Sequence, residues 1–252
     1  MSPDRVLGVI PARLGAERLP GKPLRLLAGK PLIQHVARNA LASGALDEVV
    51  VASDADEVLD AARRCGVQGV KTRSDHDSGT SRVGEVAAMP EFAGFGIVVN
   101  VQGDEPFLPA EAIRGAVGEV LRTWDVGTAA APLEPAEATS PHVVKVVVDE
   151  LGRALYFSRS LIPHDRARTG RVRYWQHLGV YAYRPGALAL WLTLPPTALE
   201  EAEQLEQLRA LGNGMSIGVA RIGVAAMPGI DTADDLRRAE AHLAAAGDPS
   251  RR

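Results

Sequence analysis

Short apolar runs of four to six residues alternate with stretches of helical period along the first half of this chain. That alternation is the sequence form of βαβ units around a mainly parallel sheet, and few other architectures accept it. Val6 to Ile10 reads as a first buried strand, and Leu32, Ile33, Val36, Ala37, Ala40 and Leu41 recur at helical spacing before Gly44, which stands where a helix-ending glycine would. Val49 to Ala52 reads as the next strand. Asp54 with Glu57 resembles a capping box opening a helix that ends near Gly66. Gly69 to Thr72 is a third strand candidate, and Ile97 to Val101, bounded by Gly96 and QGDEP, is the clearest strand and is expected to sit centrally.

From Val126 the character changes. VGTAAAPL, HVVKVVVD, RALYFS and YWQHLGVYAYR are strand-like with few helices between them, which suggests antiparallel or mixed strands. Helical character returns at 185–192, 198–211 and 232–246, interrupted by a strand at Ile217 to Arg221, and the tail GDPSRR is expected to fray. No linker, repeat or low-complexity tract marks a boundary, so residues 1–252 read as one α/β domain with a strand-rich excursion near 126–184.

Composition narrows the function. The 252 residues are 46% hydrophobic and 23% charged, the balance of a folded globular protein, and a chain of this length needs no disulfide or metal staple. A net charge of -3 supplies no global field for nucleic acid or an anionic membrane, and four arginines at 166–173 do not change that. The one cysteine, Cys65, permits no internal disulfide, and the start MSPDRVLGVIPARLG has no basic segment followed by a long apolar run. A cytoplasmic protein is expected.

In open α/β sheets, ligands bind beyond the carboxyl ends of the strands, so the loops there carry the functional question. After the first strand, PARLGAERLPGKPL offers Arg13, Arg18 and Lys22 among Gly15 and Gly21 just before a helix. Cations and exposed backbone N–H groups suit phosphate. It is not a Walker A loop, because five residues separate Gly15 from Gly21 and Pro23 stands where Ser or Thr would hold magnesium. QGDEP puts Gln102, Asp104 and Glu105 at the end of the central strand, where Asp104 either joins a second, distant Asp in holding magnesium or caps the helix near Pro109. TRSDHDSGTSR adds His76, Ser78, Thr80 and Arg82. There Thr80 or Ser81 could be only an N-cap, and His76 only a solvated histidine. Glu206 and Gln207 fall in a strongly charged helical stretch whose default is a solvated face, and Asp231 could cap the last helix. No serine has a nucleophile-elbow setting. Cations and a metal carboxylate without a protein nucleophile favour direct phosphoryl or nucleotidyl transfer.

VIPARLGAERLPGKPL, VVVASDADEV, TRSDHDSGTSR, VNVQGDEPFLP, VKVVVDELGRALYFSRSLIP, HLGVYAYR, LEQLRAL and GIDTADDL stand in that order. Together they resemble the 3-deoxy-manno-octulosonate cytidylyltransferase (CMP-Kdo synthetase) family over nearly the whole chain. The resemblance implies a Rossmann-like, nucleotide-diphospho-sugar-transferase type of sheet whose excursion forms the sugar site and a homodimer region. It implies magnesium-dependent transfer of CMP from CTP to the anomeric hydroxyl of 3-deoxy-D-manno-octulosonate (Kdo), releasing pyrophosphate, for lipopolysaccharide or capsule synthesis. By the same resemblance Arg13, Arg18 and Lys22 hold the phosphates, and Gln102 with Ser78, Gly79 and Arg82 faces the cytidine. Asp104 and Asp231 bind magnesium, while Arg159, His177, Tyr181, Glu206 and Gln207 line the acid-sugar pocket. Arg13, Lys22 and Asp104 carry catalysis. The segment GNGMSIGV and the short basic stretch 166–176 depart from the family pattern. The rivals are a cytidylyltransferase for another acid sugar, sialic-acid-type or 8-amino-Kdo, and a nucleotide-binding module without chemistry.

Overall fold

Six consecutive buried residues, Val6–Pro11, form strand β1, whose side chains alternate between two apolar layers: Val6 and Ile10 face one, Leu7 and Val9 the other. A strand buried on both faces belongs inside a sheet covered on both sides, and the computed structural model, which describes residues 5–15 and 18–246, shows that arrangement. After β1 come a two-stranded hairpin, β2 (Leu26–Leu27) and β3 (Lys30–Pro31), then α1 (Leu32–Ala42), β4 (Glu48–Ser53), α2 (Asp56–Arg63), β5 (Gln68–Lys71) and α3 (Gly79–Ala87). There follow β6 (Ile97–Val101), α4 (Ala110–Arg122), β7 (Val126–Leu133), α5 (Pro135–Ala138), β8 (Lys145–Val148), β9 (Ala154–Ser158) and β10 (Tyr174–Tyr183). The chain continues through α6 (Pro185–Thr193), α7 (Ala198–Glu203), α8 (Gln207–Gly212), β11 (Ile217–Arg221) and α9 (Ala233–Ala246).

The main sheet runs β11-β7-β10-β6-β1-β4-β5, with β6 at its centre as its apolar run and turn-rich flanks predict. Its pairings are parallel except those of β10, which lies antiparallel between β6 and β7 and also receives β8, and that of β8 with β9, an antiparallel hairpin. The inserted antiparallel β10 and the β8–β9 hairpin beside it account for the change of character after Val126. Helices α1, α2 and α4 cover one face, and α3, α6 and α8 the other, where the fully buried Trp191, Tyr183 and Phe157 form the bulkiest part of the core. Burial of each such side chain contributes about 2–3 kcal/mol. None of the described helices is long and apolar enough to cross a membrane.

Three local expectations change. The helix after β4 starts one residue later than a capping box on Asp54 requires: Ala55 is its N-cap and no side chain caps it. Asp54 is drawn instead to the buried guanidinium of Arg82, 2.9 Å away. The single helix expected over 198–211 is two, because Gln204 adopts a left-handed conformation (φ +53°) that ends α7 and redirects the chain. The third strand lies one residue earlier than expected, Gln68–Lys71. The expected fraying of GDPSRR lies outside the described residues.

Candidate functional site

The parallel strands β1 and β6 both end at one cleft of about 590 Å³, lined by Arg13, Arg18, Lys22, Gly79, Gln102 and Asp104 among others. Its floor is set by a close approach: a Cβ on Gly103 would stand 2.7 Å from the Pro11 carbonyl oxygen, so only glycine lets the end of β6 lie against the end of β1. Its outer wall is made from both ends of the chain. Leu19 from the loop after β1, Leu27 of β2 and Leu32 at the start of α1 pack with Ile230 and Ala239, so α9 clamps the segment between β1 and α1. Ile230 N–H donates to the Asp104 carbonyl at 2.8 Å. This docking carries Asp231 to the cleft. Thr232 and Asp235, not Asp231, cap α9, through a reciprocal pair of hydrogen bonds, leaving the Asp231 carboxylate available. Asp104 likewise caps nothing, since Pro109 is the N-cap of α4.

Both carboxylates converge on one ammonium. Lys22 Nζ lies 2.7 Å from Asp104 Oδ2 and 3.0 Å from Asp231 Oδ1, and Arg18 adds a 3.1 Å pair to Asp231. Burial alone would lower the Lys22 pKa, but Asp104 and then Asp231 outweigh it and hold the ammonium above its ordinary value. Beside them, Glu105 is pushed up to about 8, chiefly by desolvation and then by the charges of Asp104 and Asp231. Arg13 stands exposed at the mouth with no ion-pair partner among the described residues.

The opposite wall is the start of α3. Ser78, not Thr80 or Ser81, is the N-cap: it accepts from Ser81 N–H while Ser81 Oγ receives the Ser78 N–H. The α3 N-terminus places Ser78 and Gly79 on the cleft wall, and a helix N-terminus in that position favours an anion. Arg82 is buried, held by Thr72, the Arg73 carbonyl and Asp54, so it reaches the cleft as a braced group. His76 is not solvated; its side chain is buried, with Nδ1 on Ser81 Oγ and Nε2 against Glu85.

Of the five residues that resemblance assigns to an acid sugar, none is on the walls of this cleft; His177, Tyr181 and Glu206 lie together beside it, Gln207 follows Glu206, and Arg159 follows the end of β9. Glu206 is the link, since its carboxylate accepts Ser78 Oγ–H at 3.3 Å and Thr80 Oγ1–H at 3.0 Å, and burial raises its pKa. Neither Glu206 nor the buried Gln207 lies on a solvated helical face; both follow the break at Gln204. His177 and Tyr181 project from β10, with the imidazole edge-on to Phe157 and tilted against Tyr181. The Thr128 hydroxyl donates to the Val180 carbonyl at 2.7 Å and so accepts from His177 Nε2–H at 3.0 Å, which leaves Nδ1 as the acceptor. Desolvation pushes His177 down to about 3 and raises Tyr181, so both stay neutral near pH 7. The Arg159 guanidinium donates to the main-chain carbonyls of Glu203, Pro141 and Gln204.

Two residues of this region carry no recognisable signal in the sequence, and two more carry only a partial one. Lys145, in a run of valines, is fully buried and donates to the carbonyls of Ser140, Val143 and Arg159. Glu203 sits among other glutamates. Asn100 was legible only as the one polar residue of β6; it is fully buried and faces the Tyr183 hydroxyl. Glu105 follows Asp104 and reads as its neighbour until the structure turns it inward.

Comparison with known proteins bears on this site. A cytidylyltransferase family model matches residues 7–217. The 3-deoxy-manno-octulosonate cytidylyltransferase of Gemmatimonas aurantiaca is 51% identical, covering 94% of this chain and 93% of that one, and that of Acidobacterium capsulatum is 46% identical over 95% and 97%. A CMP:2-keto-3-deoxy-manno-octonic acid synthetase solved with CTP superposes with a TM-score of 0.89 at 40% identity, covering 96% of this chain and all of that one. A 4-diphosphocytidyl-2C-methyl-D-erythritol synthase of Anaerococcus prevotii, 14% identical over 96% of this chain and all of that one, shares the fold with a TM-score of 0.63.

Proposed function

The chain belongs to the 3-deoxy-manno-octulosonate cytidylyltransferase family, and from that membership and the cleft we infer that it transfers CMP from CTP to the anomeric hydroxyl of Kdo, releasing pyrophosphate. The observation that carries the chemistry is the convergence of Asp104 and Asp231, 127 positions apart, on Lys22 within a cation-lined cleft. In this reading Arg13, Arg18 and Lys22 receive the triphosphate, and Gln102, Ser78, Gly79 and the braced Arg82 receive the cytidine. The Kdo carboxylate meets Arg159, with His177, Tyr181, Glu206 and Gln207 around the sugar hydroxyls. The anomeric oxygen then attacks the α-phosphorus as the hydroxyl loses its proton, and the bond to the β-phosphate oxygen breaks. No side chain forms a covalent intermediate, so the residues act by orientation and charge.

The donor set fits magnesium. Two hard carboxylates already face one point of positive charge, and magnesium asks few oxygens of the protein because it keeps water and phosphate oxygens. Asp104 and Asp231 would hold it, and when bound it would neutralise the triphosphate and polarise the α-phosphorus. We also propose a homodimer formed through the β8–β9 hairpin, where Leu151 and Leu155 are exposed; light scattering behind size exclusion tests it. Pyrophosphate release is the decisive assay. Release with CTP, magnesium and Kdo, and not with ATP, GTP, UTP or a sialic acid, is expected; CTP binding without release on any acid sugar would overturn the catalytic reading.

A further inference from the structure

The end of β9 and the end of α7 are joined at Glu203. Its Oε1 accepts Ser158 Oγ–H at 2.6 Å, its Oε2 accepts Arg159 N–H at 2.9 Å, and its main-chain carbonyl accepts Arg159 Nε–H at 2.8 Å. The Tyr156 hydroxyl also faces this carboxylate. A carboxylate in the last position of a helix meets the negative end of the helix dipole, so local structure does not favour it there. What it gains is the strand end.

Two consequences follow from the geometry. First, Arg159 is fixed. Of its five N–H donors one is taken by Glu203, one by Pro141 O at 3.2 Å and one by Gln204 O at 3.4 Å, which leaves two for an incoming carboxylate. Second, the left-handed Gln204 begins a turn whose next residues are the buried Leu205, then Glu206, bonded to Ser78 and Thr80, and Gln207. Anchoring residue 203 therefore sets where 206 and 207 point.

We propose that Glu203 is a positioning residue for the acid-sugar half-site, holding Arg159 and the 203–207 turn in the orientation that receives the substrate carboxylate without touching substrate itself. The proposal rests on the assignment of Arg159, Glu206 and Gln207 to that half-site. The test is steady-state pyrophosphate release by the full chain, varying Kdo at saturating CTP and CTP at saturating Kdo, for wild type, Glu203→Ala and Glu203→Gln, with CTP-induced thermal stabilisation measured on each. Glu203→Ala is expected to raise KM for Kdo by about tenfold or more while KM for CTP stays within about threefold, since sub-ångström misplacement of a binding group costs at that scale. Glu203→Gln, which keeps one acceptor oxygen, should fall between, and it decides the matter if the alanine variant does not fold. An unchanged KM for Kdo, or both KM values rising together with a falling melting temperature, would overturn the proposal. Wild type inert on Kdo but active on another acid sugar would overturn the Kdo assignment alone, and the variants would then be compared on that sugar; wild type inert on all would overturn both.

Discussion

Gly103 offers the sharpest perturbation of the cleft. A Cβ placed there would stand 2.7 Å from the Pro11 carbonyl oxygen, about 0.6 Å inside an ordinary carbon–oxygen contact. Pro11 cannot retreat, because β1 is held to β4 through Ala52, whose carbonyl receives the Ala12 N–H at 2.9 Å. The loop carrying Gln102 and Asp104 must therefore move. Gly103→Ala is expected to cost about 2 kcal/mol, as overpacking usually does, which lowers the melting temperature of a chain this size by roughly 4–8 °C. Moving Asp104 by that distance away from Lys22 should lower kcat by about tenfold or more. The control is Gly118→Ala within α4, where a Cβ meets nothing within 4 Å: it should stabilise by about 0.5–1 kcal/mol with activity intact. Melting curves and pyrophosphate release on both variants decide it. A Gly103→Ala protein matching wild type in stability and kcat would refute the claim that this glycine sets the cleft floor.

Lys22→Met, which removes the ammonium between Asp104 and Asp231, should lower turnover by about a hundredfold or more in the same assay. Millimolar magnesium should raise the melting temperature of wild type but not of Asp104→Asn, and an equal shift in both would remove Asp104 from the metal site. His177 is held neutral, with a folded pKa pushed down to about 3 against an unfolded value near 6.5, so the unfolded chain takes up its proton first as pH falls. Its contribution is present above pH 6.5 and is lost on acidification, amounting to about 2 kcal/mol between pH 7 and pH 5; urea midpoints of wild type and His177→Gln should therefore converge or cross as pH drops. Lys145→Met leaves three main-chain carbonyls without their donor and should destabilise by about 3 kcal/mol, read by urea denaturation.

The parallel half of the sheet was legible because strands buried on both faces are continuous apolar runs, and β6 falls at Ile97–Val101 as the sequence suggests. The phosphate loop and QGDEP were legible for a related reason, since polar residues directly after such strands have only the crevice to face. Capping was less legible. Asp54, Thr80 and Asp231 are all good N-cap residues by type, yet Asp54 answers Arg82, Thr80 answers Glu206 and Asp231 answers Lys22. Their partners lie 28 to 209 positions away, and no local pattern encodes a pairing at that distance. Gln204 illustrates a second limit: a non-glycine left-handed residue inside a helical run is fixed by what Glu203 and Leu205 hold on either side, not by its own preference.

The charge arrangement of the cleft explains why distant parts of the chain must meet there. Asp104 and Asp231 would repel an approaching triphosphate, and Glu105 beside them is already pushed up to about 8 by burial and by their charges. Lys22 is engaged with both aspartates and Arg18 with one of them, so Arg13 is the cation at the mouth that can meet an anion without first breaking a pair among the described residues. An anionic substrate alone would therefore exchange satisfied ion pairs for new ones at little gain, while an anionic substrate arriving with added positive charge satisfies the aspartates and releases Lys22 and Arg18 for phosphate. On this argument Lys22 guards the acidic pair in the empty cleft and turns to the substrate in the filled one. Lys22→Met should then bind CTP weakly at all magnesium concentrations, whereas Asp104→Asn should bind CTP better than wild type when magnesium is withheld. Identical CTP affinities of wild type and Asp104→Asn in magnesium-free buffer would show that the Lys22–Asp104 pair does not compete with substrate.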